Sequence, residues 1–130
     1  MGKPDNTGIL RVIRAARYSA QGFVQAFRHE SAFRQELALG VIMFPAAFWL
    51  GRSPLEIALL VAVCILVLIV ELLNSAVEAA IDRHGDEVHE LSGRAKDMGS
   101  AAVSLSLILV WVVWGAVIYD RFFRLGQPPI

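Results

Sequence analysis

Cysteine is almost absent from this sequence of 130 residues, because Cys64 is the single one. One thiol cannot form an intramolecular disulfide, and Cys64 lies in an apolar run, where a thiol usually behaves as a small hydrophobe. Net charge is lacking too, since 12 basic and 12 acidic residues cancel. Without a global basic field, the chain is not expected to bind nucleic acid.

Common motifs of nucleotide and metal chemistry are missing as well. Neither GxxxxGK[ST] nor GxGxxG occurs, so any phosphotransferase activity would not use a P-loop. HExxH and CxxC are absent, and the spacing of His84 and His89 is a poor zinc pattern. Residues 1–30 scatter basic side chains among apolar ones, which is unlike a cleaved signal peptide.

Apolar residues dominate what is present, at 56% with a mean hydropathy of +0.56. Residues 98–119 carry no charge and as a helix would reach about 33 Å, enough to cross a hydrocarbon core of about 30 Å. Trp111, Trp114 and Tyr119 lie toward one end of this stretch, as expected at a headgroup interface. An ordinary soluble globule is therefore not expected.

Two further uncharged stretches, 37–51 and 57–70, predict two more membrane spans if their helices include the polar residues beside them. We expect one all-α membrane domain over 1–130, with spans at 31–51, 55–82 and 97–120 and a cytoplasmic loop at 83–96. Pro45 should kink the first span. Helical spacing of Ile9, Ile13, Phe23 and Phe27 predicts an amphipathic surface helix at 7–30.

Basic residues set the expected orientation. Nine of them lie on the side of the N-terminus and the 83–96 loop, whereas Arg52, Arg121 and Arg124 lie on the other side. The excess places the N-terminus and this loop in the cytoplasm.

Four polar residues of the second span share one helix face, because Glu71, Asn74, Ser75 and Glu78 stand at i, i+3, i+4 and i+7. Acids at membrane depth usually face a bundle interior or a polar cavity and mark function. The alternatives are a polar cluster that locks helices together, or ion and drug ligands in a small oligomeric transporter.

The segment 82–97 mixes acids, bases and histidines directly after this face. Carboxylates bind Mg²⁺, and Arg and Lys bind phosphate oxygens, so the mixture suits a magnesium-nucleotide site. Such a charge run is also typical of a solvated connection. Glu30 precedes the first span, where an acid can also simply cap a helix or form an ion pair.

The amino-acid sequences of three segments resemble motifs of the prokaryotic diacylglycerol kinases, in particular of their Gram-negative branch. These segments are AFRQE at 32–36, ELLNSAVE at 71–78 and HELSGRAKDMGSAA at 89–102. The resemblance implies a homotrimeric enzyme of the bacterial inner membrane, with active sites shared between subunits, that phosphorylates the hydroxyl of diacylglycerol with ATP and Mg²⁺. Undecaprenol kinase, the Gram-positive relative, is the alternative enzyme.

Residue roles follow from the same resemblance. The catalytic pair would be Glu71, as general base, and Asn74, which positions the reacting groups; the metal ligands would be Glu30 and Glu78. ATP would be bound by Arg11, Tyr18, Glu30, Glu78, Glu87, His89, Lys96 and Asp97. The lipid substrate would contact Arg11, Ala32, Phe33, Arg34, Gln35, Glu36, Glu71, Ser100, Trp114 and Tyr119.

Overall fold

Four α-helices make up the computed structural model, which describes residues 7–85 and 89–124. They are α1 (Gly8–His29), α2 (Ser31–Leu50), α3 (Pro54–Asp82) and α4 (Glu90–Phe123). The described residues contain no strand, which confirms the all-α fold class.

The first helix is amphipathic and mostly uncovered. Ala26 is its buried residue, and Ile9, Ile13 and Phe23 remain exposed. α1 ends because Glu30 adopts an extended backbone, with φ −117° and ψ 106°, while its N–H still donates to the Ala26 carbonyl at 2.9 Å. An apolar helix face that the chain does not cover suits a helix lying in a membrane interface.

A short connection joins α2 to α3 and makes them antiparallel neighbours. Pro54 takes the first position of α3, where its missing N–H costs nothing, and Ser53 caps the helix by accepting from the Glu56 N–H at 3.2 Å. Gly51 is required before this cap, because a Cβ there would collide with the side chain of Ile57. Pro45 lies within α2, which continues through it to Leu50.

Small and apolar side chains from three helices form the core. Ala47 and Leu50 of α2 pack with Leu60 of α3 and with Trp114 and Val117 of α4, in a cluster that also includes Val63. The indole N–H of Trp114 donates to the Leu60 carbonyl at 3.2 Å, so its polar edge is satisfied inside the core. This cluster fixes the bundle near the α2–α3 connection.

Two helices, α3 and α4, are long and apolar enough to cross a membrane. Most of their apolar surface is not covered by the chain itself: Leu105, Ile108 and Trp111 of α4 are all more than half exposed. Exposed apolar surface of this extent would be unfavourable in water. Lipid or further protein must therefore cover it.

The fourth helix begins earlier than expected. Residues 83–96 were predicted as a loop, but α4 starts at Glu90, so the second half of that segment is helical. The reason is a cap: His89 has an extended backbone, and its side chain accepts from the Leu91 N–H at 3.1 Å. α4 then also runs past the expected end at 120, to Phe123.

A buried carboxylate ties the opposite end of the bundle together. Asp120 is 2% exposed and accepts from Arg124 at 2.9 Å, one turn along α4. Arg52, in the α2–α3 connection, approaches the other carboxylate oxygen at 3.6 Å. The connection is thereby held against the end of α4.

Candidate active site

The polar face of α3 carries the centre of the candidate site. Glu71 is 4% exposed. One turn further along, the Asn74 side-chain N–H donates to the Glu78 carboxylate at 3.3 Å. This bond links the Asn74 and Glu78 side chains along the face that also carries Glu71. The structure thus brings together the three α3 residues that the sequence predicted.

Close packing of α4 against α3 constrains Asn74 further. Gly99 lies opposite the Asn74 amide, whose oxygen occupies the space that a Cβ at position 99 would need. That amide oxygen is buried and lacks a hydrogen-bond partner. The oxygen of Asn74 therefore faces Gly99 of α4. Gly99 was not among the predicted site residues, because its role depends on a contact between two helices.

A second acid reaches the site from α2. Glu36 of α2 lies close enough to Glu71 for the two carboxyl groups to interact electrostatically. Phe33, one turn before Glu36, is 2% exposed and anchors this part of α2. Glu71 also lies within electrostatic range of Glu78 and Glu30. Glu30, Glu36 and Glu78 thus all influence Glu71 electrostatically, although no three of these acids are grouped closely enough to form a ready-made metal site among the described residues.

The α1–α2 junction is held by Arg34. Its guanidinium donates to the carbonyl of Phe27 at 2.7 Å and of Arg28 at 3.2 Å, which satisfies carbonyls at the end of α1. The structure therefore gives Arg34 a capping contact in addition to its predicted contact with substrate. Ala32 is half-buried, and Gln35 is exposed beside it.

A lysine and an aspartate join α4 to the end of α3. Lys96 donates to Asp82 at 2.8 Å, with 44% and 65% of the two side chains exposed. Lys96 lies on the polar turns of α4 that precede the uncharged stretch, and its hydrogen bond to Asp82 together with the Asp82 charge raises the pKa of Lys96. The ammonium group therefore stays charged at neutral pH.

Asp82 was missed as a site residue by the sequence reasoning. Its spacing offered a signal, because it follows Glu78 by one helical turn on the same face of α3.

The other residues predicted to bind ATP lie on different helices. Arg11 and Tyr18 are exposed on α1, and Asp97 is exposed on α4. His89 caps α4 through a ring nitrogen, which leaves its other ring nitrogen available. Glu87 lies outside the described residues. Ser100, predicted to contact lipid, is exposed on α4, and its carbonyl accepts from Ser104 at 3.2 Å.

Two predicted lipid contacts lie far from Glu71. Trp114 is packed in the core at the level of Leu60, and the helical rise between Leu60 and Glu71 is about 16 Å. Tyr119 is exposed still further along α4, where its ring stacks on Phe123 at 5.6 Å. The structure does not bring either ring to the acid cluster.

A cavity of about 580 Å³ opens between α1 and α3. Glu30 and His29 lie at its α1 side, and Ser75 and Ala79 at its α3 side. Its wall is mainly apolar, with a few polar groups, which is the character of a pocket for an amphiphilic molecule.

Together these features define a helical membrane protein with a site rich in carboxylates at one end of an apolar bundle, beside a lysine and an amide. Comparison with known proteins identifies its family. The model of the prokaryotic diacylglycerol kinase family matches residues 17–118. The chain therefore belongs to the prokaryotic diacylglycerol kinase family.

Curated relatives named diacylglycerol kinase agree with this assignment. The protein of Pseudomonas aeruginosa is 52% identical over 86% of this chain and 91% of its own length. The protein of Haemophilus influenzae is 49% identical, covering 87% and 96% of the two chains. The protein of Escherichia coli K12 is 46% identical, covering 91% and 97%.

Proposed function

We propose that this chain transfers the γ-phosphate of ATP to the free hydroxyl of 1,2-diacylglycerol and so forms phosphatidic acid, which returns the lipid to phospholipid synthesis. Family membership supports the activity. The observation that carries it is the position of Glu71, a buried carboxylate bordered by Asn74 and Glu78 at the end of the bundle where Lys96 lies.

Glu71 is the proposed general base. It takes the proton from the lipid hydroxyl as that oxygen bonds to the γ-phosphorus, while the bond from the γ-phosphorus to the bridging oxygen breaks and ADP leaves. Asn74 and Glu78, fixed by their hydrogen bond, position the reacting groups. Phosphoryl transfer depends mainly on positioning and charge neutralisation, so these residues suffice without a P-loop.

Magnesium fits the donors that are present. Among the described residues, no group of three or more potential ligands is preassembled. Mg²⁺, however, commonly binds through one or two carboxylates together with substrate phosphates. Glu30 and Glu78, both within electrostatic range of Glu71, are the proposed ligands. When bound, the ion would neutralise phosphate charge during transfer.

The nucleotide is proposed to lie over the cytoplasmic end of the bundle. Lys96 offers its ammonium group to phosphate oxygens, while its bond to Asp82 holds it near Glu78. Arg11, Tyr18, Glu87, His89 and Asp97 complete the proposed nucleotide contacts.

The lipid is proposed to reach Glu71 from the membrane, without leaving it. The uncovered apolar face of α1 and the segment 32–36 border the route, as does Ser100 of α4. Tyr119, exposed on α4, stays in the proposed lipid set as a contact for acyl chains, because it lies too far along the bundle to contact a headgroup at Glu71. Trp114 leaves that set, because it is buried in the core.

A third span at α2 is proposed in addition to α3 and α4. Its 20 residues reach about 30 Å. The short connection held by Ser53 makes α2 antiparallel to α3, so α2 returns across the depth that α3 crosses. The basic-residue excess supports an orientation with the N-terminus and the α3–α4 connection in the cytoplasm, and the bacterial inner membrane is the proposed location.

A homotrimer with shared active sites is the proposed assembly. The exposed apolar residues of α2 and α4 leave room for neighbouring subunits as well as lipid. Light scattering of the purified protein in detergent is expected to give the mass of three chains, and full activity in a monomer would contradict the assembly.

The activity is tested by a matched pair of variants. We expect wild-type protein in mixed micelles to transfer label from γ-labelled ATP to dioleoylglycerol only with Mg²⁺, and Glu71→Gln to lose the transfer. Glu90→Gln is the control, because Glu90 is an exposed acid whose contact is the ion pair with Arg94 one turn away. Equal activity of Glu71→Gln and wild type would contradict the role of Glu71.

A further inference from the structure

Ser75 is a buried hydroxyl that none of the assigned roles uses. It is 9% exposed, and its Oγ is buried without a hydrogen-bond partner. Serines within helices usually donate to a carbonyl of the preceding turn. Ser104 and Ser106 of α4 do so, to Ser100 at 3.2 Å and to Val103 at 2.7 Å. Ser75 therefore has an unused donor.

Ser75 borders the cavity between α1 and α3. Ser75 lies in its wall with Glu30, and small residues such as Gly22, Ala26 and Ala79 keep the cavity open. A buried hydroxyl is rarely left without a partner, so an occupant of the cavity with an acceptor oxygen is expected. The mainly apolar wall requires that this oxygen belong to an otherwise apolar molecule.

Helical geometry relates Ser75 to the proposed base. Ser75 follows Glu71 by four residues, so the two lie on one face of α3 about one turn, or 5.4 Å, apart. In a diacylglycerol, only a few bonds separate the free hydroxyl from the nearer ester carbonyl. A lipid whose hydroxyl meets Glu71 can thus place this carbonyl near the next turn of α3.

We propose that the Ser75 hydroxyl donates a hydrogen bond to an ester carbonyl oxygen of the acceptor lipid, and that Ser75 thereby selects ester-linked over ether-linked glycerolipids. The inference rests on the proposed lipid kinase function and makes Ser75 a specificity-determining residue. An ether-linked lipid presents the same hydroxyl and chains but lacks the carbonyl acceptor.

Two acceptors measured on one preparation test the inference. Dioleoylglycerol and its di-O-oleyl ether analogue are each phosphorylated with ATP and Mg²⁺ in identical micelles, and kcat/KM is determined for both. Wild type is expected to favour the ester about three- to tenfold, the usual value of one neutral hydrogen bond. Ser75→Ala is expected to reduce kcat/KM for the ester by that factor and to leave the ether within about twofold.

Two further variants separate this role from a structural one. Ser75→Cys keeps a small side chain but donates weakly, so it should show the same reduced ratio. Ser106→Ala, at a buried serine whose hydroxyl is already bonded within α4, should keep the wild-type ratio. Because the ratio uses one preparation, it does not depend on the folded fraction.

The outcomes are distinct. If Ser75→Ala reduces kcat/KM equally for both lipids, or for neither, the inference is overturned while the kinase function stands. Wild-type protein that phosphorylates neither lipid overturns the proposed function itself.

Discussion

The contact between Gly99 and Asn74 allows a test of the active-site geometry from outside the acid cluster. Gly99→Ala places a methyl group where the Asn74 amide oxygen lies, so the amide must rotate away. Rotation breaks the hydrogen bond from Asn74 to Glu78. A hydrogen bond to a charged group contributes about 1.5–3 kcal/mol. We therefore expect kcat to fall about tenfold to a hundredfold.

In the same variant, the preference for alanine over glycine in a helix, about 1 kcal/mol, offsets part of the stability lost with this hydrogen bond, so thermal unfolding should change less than kcat does. Gly115→Ala is the matched control, since a Cβ at position 115 of α4 meets no other atom within 4 Å. The assay is phosphatidic acid formation at saturating ATP, with thermal unfolding of each variant in the same detergent.

A double-mutant cycle decides whether Asn74 transmits the effect. On an Asn74→Ala background, Gly99→Ala should reduce kcat little further, because the amide side chain that it displaces is already absent. If Gly99→Ala retains wild-type kcat, or if its loss is unchanged on the Asn74→Ala background, the reasoning is refuted.

Three further predictions concern other contacts. Glu36→Gln should keep most of the activity, because its amide N–H can donate to the neighbouring Glu71 carboxylate, whereas Glu36→Leu should lose about tenfold; equal kcat values for the two variants would contradict this interaction. Lys96→Met should raise the KM for ATP about tenfold, as expected for loss of a charged hydrogen bond, without a measurable change in thermal unfolding, since Lys96 is exposed; an unchanged KM would remove Lys96 from the nucleotide site. Asp120→Ala should lower the free energy of unfolding by about 3 kcal/mol, because it removes a buried carboxylate paired with Arg124 and Arg52, yet keep kcat per folded molecule; a stable variant, or a selective loss of kcat, would contradict this structural role.

Sequence reasoning reached the α3 face because helical spacing is local. Glu71, Asn74 and Glu78 fall on one face in any helix, so their assembly needed no tertiary information. The all-α class and the two long apolar helices α3 and α4 follow from composition in the same way.

The sequence pattern could not predict contacts between helices. The packing of Gly99 on Asn74 and the ion pair from Lys96 to Asp82 depend on how α4 lies against α3. The start of α4 was placed too late because a charged segment resembles a loop, while the cap at His89 depends on side-chain geometry. Trp114 was assigned to the lipid from the family resemblance, and its packing against Leu60 became apparent only in the fold.

The acceptor of the phosphoryl group is the central claim, and one measurement tests it most directly. Purified protein in mixed micelles is given γ-labelled ATP and Mg²⁺ with dioleoylglycerol and undecaprenol together, and the labelled lipids are separated. We predict that the label appears in phosphatidic acid. Label in undecaprenyl phosphate instead, or no labelled lipid from a folded oligomer, would contradict the account.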